Sequence, residues 1–159
     1  TTSGREEQLP AMLTKVESSI DETKAALEDV QKTVGKAREI SGSVKSLLSG
    51  NKGKLERMIA SVKTTGDNLK AASSEIRRSP WRLLYKPSEN EMANLNLYDA
   101  ARQFSDGADN LTDAAAALRD AMSADSMDKQ QVQKLSQQLD ESFANFKQVE
   151  DKLWKSVRQ

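Results

Sequence analysis

Four aspartates, Asp106, Asp109, Asp113 and Asp120, fall three, four and seven residues apart and are the strongest candidates for chemistry in the chain. On a helix that spacing puts them on one side, where two carboxylates can share a metal ion or divide an acid and a base task. The rest of the sequence withholds what such a site needs. There is no histidine and no cysteine, which removes thiolate chemistry, disulfides, most zinc sites and the usual proton shuttle. A nucleophile would have only lysine or carboxylate as its base. No glycine-rich phosphate cradle, nucleotide fingerprint or calcium loop is present. The aspartates therefore read as a solvated face, or as one that meets arginine and lysine. Neither an enzyme nor a metal or cofactor is expected.

The elements that would position them are helices. Stepping alternately four and three residues from Leu9 to Ile76 gives twenty positions, sixteen of them apolar. Chance would place about seven there in a chain that is 36% apolar. Such a seam is the signature of helices that associate. Met12, Ile40, Leu47 and Ile59 lie one position from it and widen the stripe, which favours packing against two neighbours at once. A bundle within one chain and a helical tube built from several chains both satisfy that breadth. With seven aromatic residues in 159, the core must be aliphatic and alanine-rich.

The fold expected is all-α, with a long heptad-patterned helix or helix pair over 1–79, a connector over 80–91 and an antiparallel helical hairpin over 92–159. Helix one should start near Leu9 and Pro10, because proline is tolerated in a first turn. Ser49-Gly50-Asn51-Lys52-Gly53 carries a turn signal, yet the seam crosses it without slipping, so a continuous helix is favoured over a break at 49–53. Pro80 and Pro87 bound the connector. A third helix follows from about Met92 to Ala121, and a fourth after Ser126, which can cap it. Alanines at 101, 108, 114, 115, 116, 117 and 121 face Phe143 and Phe146 in this reading.

Net charge is zero but unevenly spread. Residues 49–88 hold nine basic and three acidic groups, and 89–128 hold two and nine. A basic segment followed by an acidic one suggests that the two lie side by side, within the chain or between copies. No aromatic platform for bases accompanies the basic stretch, so nucleic acid is not expected as a partner. No run of about 18 apolar residues would span a bilayer, and no signal peptide opens the chain. The start Thr1-Thr2-Ser3-Gly4 reads as a cut end, so a longer parent is expected.

The stretch from Asn68-Leu69-Lys70 through Glu75-Ile76-Arg77-Arg78-Ser79-Pro80-Trp81-Arg82-Leu83-Leu84-Tyr85-Lys86-Pro87 resembles the segment that follows the long helix in bacterial MCE proteins of the MlaD type. The likeness covers roughly residues 10–90 and is specific over Ile76 to Pro87. Members of that family look like envelope lipid carriers, with an N-terminal anchor, a β-barrel MCE domain that forms hexameric rings, and helices that extend the central tunnel. The anchor and the barrel domain are absent from this sequence. The resemblance implies a non-enzymatic helical segment in the periplasm, tethered to the inner membrane in the full-length protein. Self-association, envelope lipid-transport components and phospholipid are the partners it implies. Under it, Ile40, Leu47, Leu48, Leu55, Ile59 and Val62 wall an apolar path that solvates acyl chains at about 0.8 kcal/mol per buried CH₂. Arg77, Arg78, Trp81, Arg82, Leu83, Leu84, Tyr85 and Lys86 then meet a membrane surface or a partner. The alternative is a structural coiled-coil or bundle module that sets spacing or oligomer state and holds no ligand.

Overall fold

A computed structural model describes the backbone over residues 2–36, 42–78, 87–123 and 128–158, and side chains over 10–34, 53–74, 96–122 and 128–156. The described residues form four helices, α1 (Thr2–Lys36), α2 (Gly42–Arg78), α3 (Pro87–Ser123) and α4 (Lys129–Arg158). They are arranged as a four-helix bundle around one apolar core. No described helix is long and apolar enough to cross a membrane.

The seam is as expected, but it belongs to two helices. Leu13, Val16, Ile20, Leu27 and Val30 of α1 and Leu55, Met58, Val62 and Leu69 of α2 are all buried together. Helix α2 runs unbroken through 49–53, with Gly50 and Gly53 inside it. Each glycine costs about 1 kcal/mol in helix propensity, a cost that the buried face of a 37-residue helix offsets. Helix α1 stops at Lys36 and α2 starts at Gly42, so the expected single long helix is divided between them. Residues 37–41 lie outside the described part.

Three boundaries shift. Helix α1 begins at Thr2 with Pro10 inside it; proline forfeits one backbone bond there, and two turns precede it. Helix α3 begins at Pro87 itself, where a missing N–H is one of the four that the helix cannot pair anyway. The cap of α4 is Asp128 in place of Ser126. Its Oδ1 accepts from Gln130 N at 3.0 Å, and its carbonyl accepts from Val132 N at 3.0 Å. Ser126 lies outside the described residues.

Cross-helix pairs fix the topology. Asp21 of α1 meets Lys70 of α2, and Ile20 lies against Gly66, whereas Val34 shares a crevice with Leu55 and Met58. Numbers that fall as the others rise make α1 and α2 antiparallel. Phe104 with Phe146 and Leu118 with Leu139 do the same for α3 and α4. Between the hairpins the numbers rise together. Ser19, Thr23 and Asp29 meet Ser105, Thr112 and Arg119, and Lys54, Ser61 and Thr65 meet Asp140, Lys147 and Glu150. Thus α1 runs parallel to α3 and α2 parallel to α4, and the chain reads as two similar hairpins laid side by side. Helices α2 and α3 do not form one of the packed faces, which are α1–α3, α3–α4, α1–α2 and α2–α4.

That diagonal placement changes the charge reading. The basic α2 does not lie against the acidic α3; its Lys54 and Lys70 pair with Asp140 of α4 and Asp21 of α1. Gly53 is exposed, and a Cβ built on it would meet only the Arg57 Nη2 at 3.9 Å. Gly53→Ala is expected to raise stability by about 0.5–1 kcal/mol through helix propensity alone. A urea titration reads this directly, and a loss of stability would contradict a continuous α2 at this point.

Candidate functional site

The four faces of the bundle are held by different chemistry. Between α1 and α3, small side chains let the backbones approach, and hydroxyls fill the gap. Ser19 and Ser105 hydroxyls lie 3.0 Å apart. Thr23 Oγ1 lies 2.7 Å from the Ser19 carbonyl, 3.0 Å from the Ala108 carbonyl and 2.8 Å from Thr112 Oγ1. A hydroxyl has one proton to give and two lone pairs, so Thr23 donates to a carbonyl and can accept from Thr112. Arg119 Nη1 meets Asp29 Oδ2 at 3.3 Å about two turns beyond.

Between α2 and α4 the helices seldom come close, and long side chains bridge the space. Lys147 Nζ donates to Glu150 Oε1 at 2.7 Å and to Ser61 Oγ at 3.1 Å, while Thr65 donates its hydroxyl to Glu150 Oε2. Glu150 is only 8% exposed. A carboxylate so deep is retained because both oxygens have donors. Toward the other end of the face, Lys54 Nζ meets Asp140 Oδ2 at 3.3 Å, with both side chains about half exposed. Beneath that pair lies a crevice of about 10 Å³ lined by Val34, Leu55, Met58, Leu118 and Leu139. This is room for about one water-sized sphere, and most of the wall is apolar.

Of the residues expected to line an apolar path, Leu55 and Val62 lie in the core, and Ile59 is half-buried against it. Leu47 and Leu48 are on α2, but their side chains, like all of Ile40, fall outside the described part. Arg77 and Arg78 close α2; their side chains and residues 79–86, which hold Trp81, Arg82, Leu83, Leu84, Tyr85 and Lys86, are also outside it. The structure thus brings Leu55, Ile59 and Val62 together on the inner side of α2.

Asp106 and Asp113 are exposed on α3 and Asp109 is half-buried there. Asp120 pairs with the neighbouring Arg119. Among the described residues no three acidic side chains are grouped to hold a metal ion.

Sequence reasoning missed the hydroxyls and Glu150. Thr23 and Thr65 are two of the four polar seam positions, and both turn out to be the points where one hairpin is hydrogen-bonded to the other. Ser73 also escaped notice. It is 1% exposed, and its Oγ has no partner among the described residues. A buried hydroxyl left unpaired costs about 1–3 kcal/mol, so Ser73→Ala is expected to stabilise the bundle by about 1 kcal/mol. Thermal unfolding followed by circular dichroism checks this; destabilisation would mean that the hydroxyl is satisfied.

No family model matches the chain, and neither does any curated protein or solved structure.

Proposed function

We propose that this chain is a non-enzymatic helical segment of a bacterial cell-envelope lipid-transport protein of the MCE type. It would sit in the periplasm, with its parent tethered to the inner membrane. The observation that carries the reading is the segment Ile76 to Pro87, which follows a long heptad helix as it does in that family. That segment joins the two hairpins, since α2 ends at Arg78 and α3 begins at Pro87. Its basic and aromatic residues, Arg77, Arg78, Trp81, Arg82, Tyr85 and Lys86, suit a phosphate-rich surface or an acidic partner.

The geometry bears on how the segment would act. The described part of its seam is buried within one chain, so the bundle would serve as a folded unit that positions neighbouring copies or other envelope components. A filled core also favours the second reading, a structural module that sets spacing and carries no ligand. Extraction of the purified chain with organic solvent, followed by mass spectrometry, separates the two. Stoichiometric phospholipid supports transport, and a ligand-free chain under gentle isolation favours the spacer. Light scattering with small-angle X-ray scattering then reports whether copies associate.

A further inference from the structure

The helices that share a broad side of the bundle also share a sign of charge. Helix α1 holds seven acidic and five basic residues and α3 seven and two, whereas α2 holds eight basic and three acidic and α4 six and four. Since α1 packs beside α3 and α2 beside α4, one side carries fourteen acids against seven bases and the other fourteen bases against seven acids. Among the described side chains the contrast is ten acidic to five basic on the first side and nine basic to six acidic on the second. Asp106 and Asp113 of α3 and Arg57 and Lys63 of α2 are exposed and form no ion pair among the described residues. These charges are free to meet a partner.

We propose that copies of this chain stack, the acidic side of α1 and α3 in one copy docking on the basic side of α2 and α4 in the next. Two helices about 10 Å apart and about 45 Å long present roughly 900 Å² on each side, which matches the area that a standard interface takes from each partner. Opposite charge then selects which sides meet and speeds the encounter. A second copy uses both sides, whereas a membrane would use the basic one alone. No exposed side chain described on α2 or α4 is large and apolar, so the basic side lacks the wedges with which a helix enters a membrane surface. The two sides differ and lie back to back, so each docking leaves one of either kind free. The contact is heterologous, and it builds a row rather than a closed pair. This inference needs no lipid and does not rest on the lipid-transport reading.

Sedimentation velocity of the full chain tests the stack. In about 10 mM salt, where charges reach about 30 Å, the mean mass should climb with concentration past two copies of the 17.6 kDa chain; in about 1 M salt, where they reach about 3 Å, it should return to one. Asp106→Asn with Asp113→Asn blunts the acidic side, and Arg57→Gln with Lys63→Gln blunts the basic side. All four positions are exposed, so the core is left intact. Each double variant alone should associate about tenfold or more weakly than the parent chain. Mixed, the first supplies an intact basic side and the second an intact acidic side, so the mass should recover and stop at two copies. A parent chain that stays single in low salt overturns the proposal, as does one that halts at a dimer or remains associated in high salt. Growth of the mixture past two copies overturns it as well. Flotation with phosphatidylglycerol vesicles gives the last outcome: a chain that is single in solution, yet binds the vesicles through Arg57 and Lys63, has a membrane face there and no stack.

Discussion

Phe146→Ala is expected to remove about 3–5 kcal/mol of stability, the range for truncating a large aromatic residue in a filled core. The ring is fully buried and stands 5.1 Å from Phe104 and 6.1 Å from Phe143, centroid to centroid. It spans the middle of the bundle, reaching from α4 to α3 beside the small residues Gly107 and Ala108. Those neighbours have no side chain long enough to refill the space, so the cavity stays open. At about 2–4 °C per kcal/mol for a chain of this size, the melting temperature should fall by roughly 10 °C. Phe143→Ala is the comparison. That ring is only half-buried and should cost less than half as much. Equal losses for the two, measured in urea, would contradict a core centred on Phe104 and Phe146.

Gly66→Leu and Gly107→Leu are each expected to cost about 3 kcal/mol, the upper part of the range for overpacking. Leucine is the better helix former by nearly 1 kcal/mol, so propensity alone predicts the opposite sign. Sterics decide. The first added carbon at Gly66 falls 2.8 Å from Ile20 Cγ2, and the one at Gly107 falls 2.8 Å from Val149 Cγ2. Both obstacles are branched side chains fixed one bond from the backbone, so relief requires the helices to separate. Gly53→Leu, on open surface, should be neutral or stabilising. Denaturant midpoints for the three variants test the assignment, and a stable Gly107→Leu would mean that α3 and α4 lie further apart than described.

The contrast among these glycines shows what the sequence could and could not convey. Period alone identifies the buried side of each helix, because burial repeats with the helix turn: Leu97, Ala101, Phe104, Ala108 and Leu111 of α3 and Val132, Leu139, Phe146 and Leu153 of α4 keep that spacing and are all buried. Period says nothing about which helix lies opposite. The phase of the seam was continuous from α1 into α2 because both helices face the same core. Continuity of pattern therefore does not require continuity of helix. Charge misled for a related reason: basic α2 and acidic α3 are consecutive in sequence but diagonal in space, and pairing followed space. The polar members of the candidate site were hidden by their own positions. Thr23 and Thr65 stand where apolar residues belong, and they look like defects until the facing hydroxyls and the Glu150 carboxylate are placed. Asn51, Gly50 and Gly53, which carry the turn signal, all belong to α2.

Because the two hairpins run side by side, the beginning of α1 and the end of α4 lie at the same end of the bundle, as do the end of α2 and the start of α3. Tension applied between the first and last helices would therefore not slide them past one another, which would load every buried contact together. It would peel them apart from that end, one turn at a time. Rupture of this kind is set by the barrier to opening rather than by total stability. The Thr65–Glu150 and Ser19–Ser105 links are then successive teeth of a zip, and the bundle would yield as a fuse well before a comparably stable domain pulled in shear.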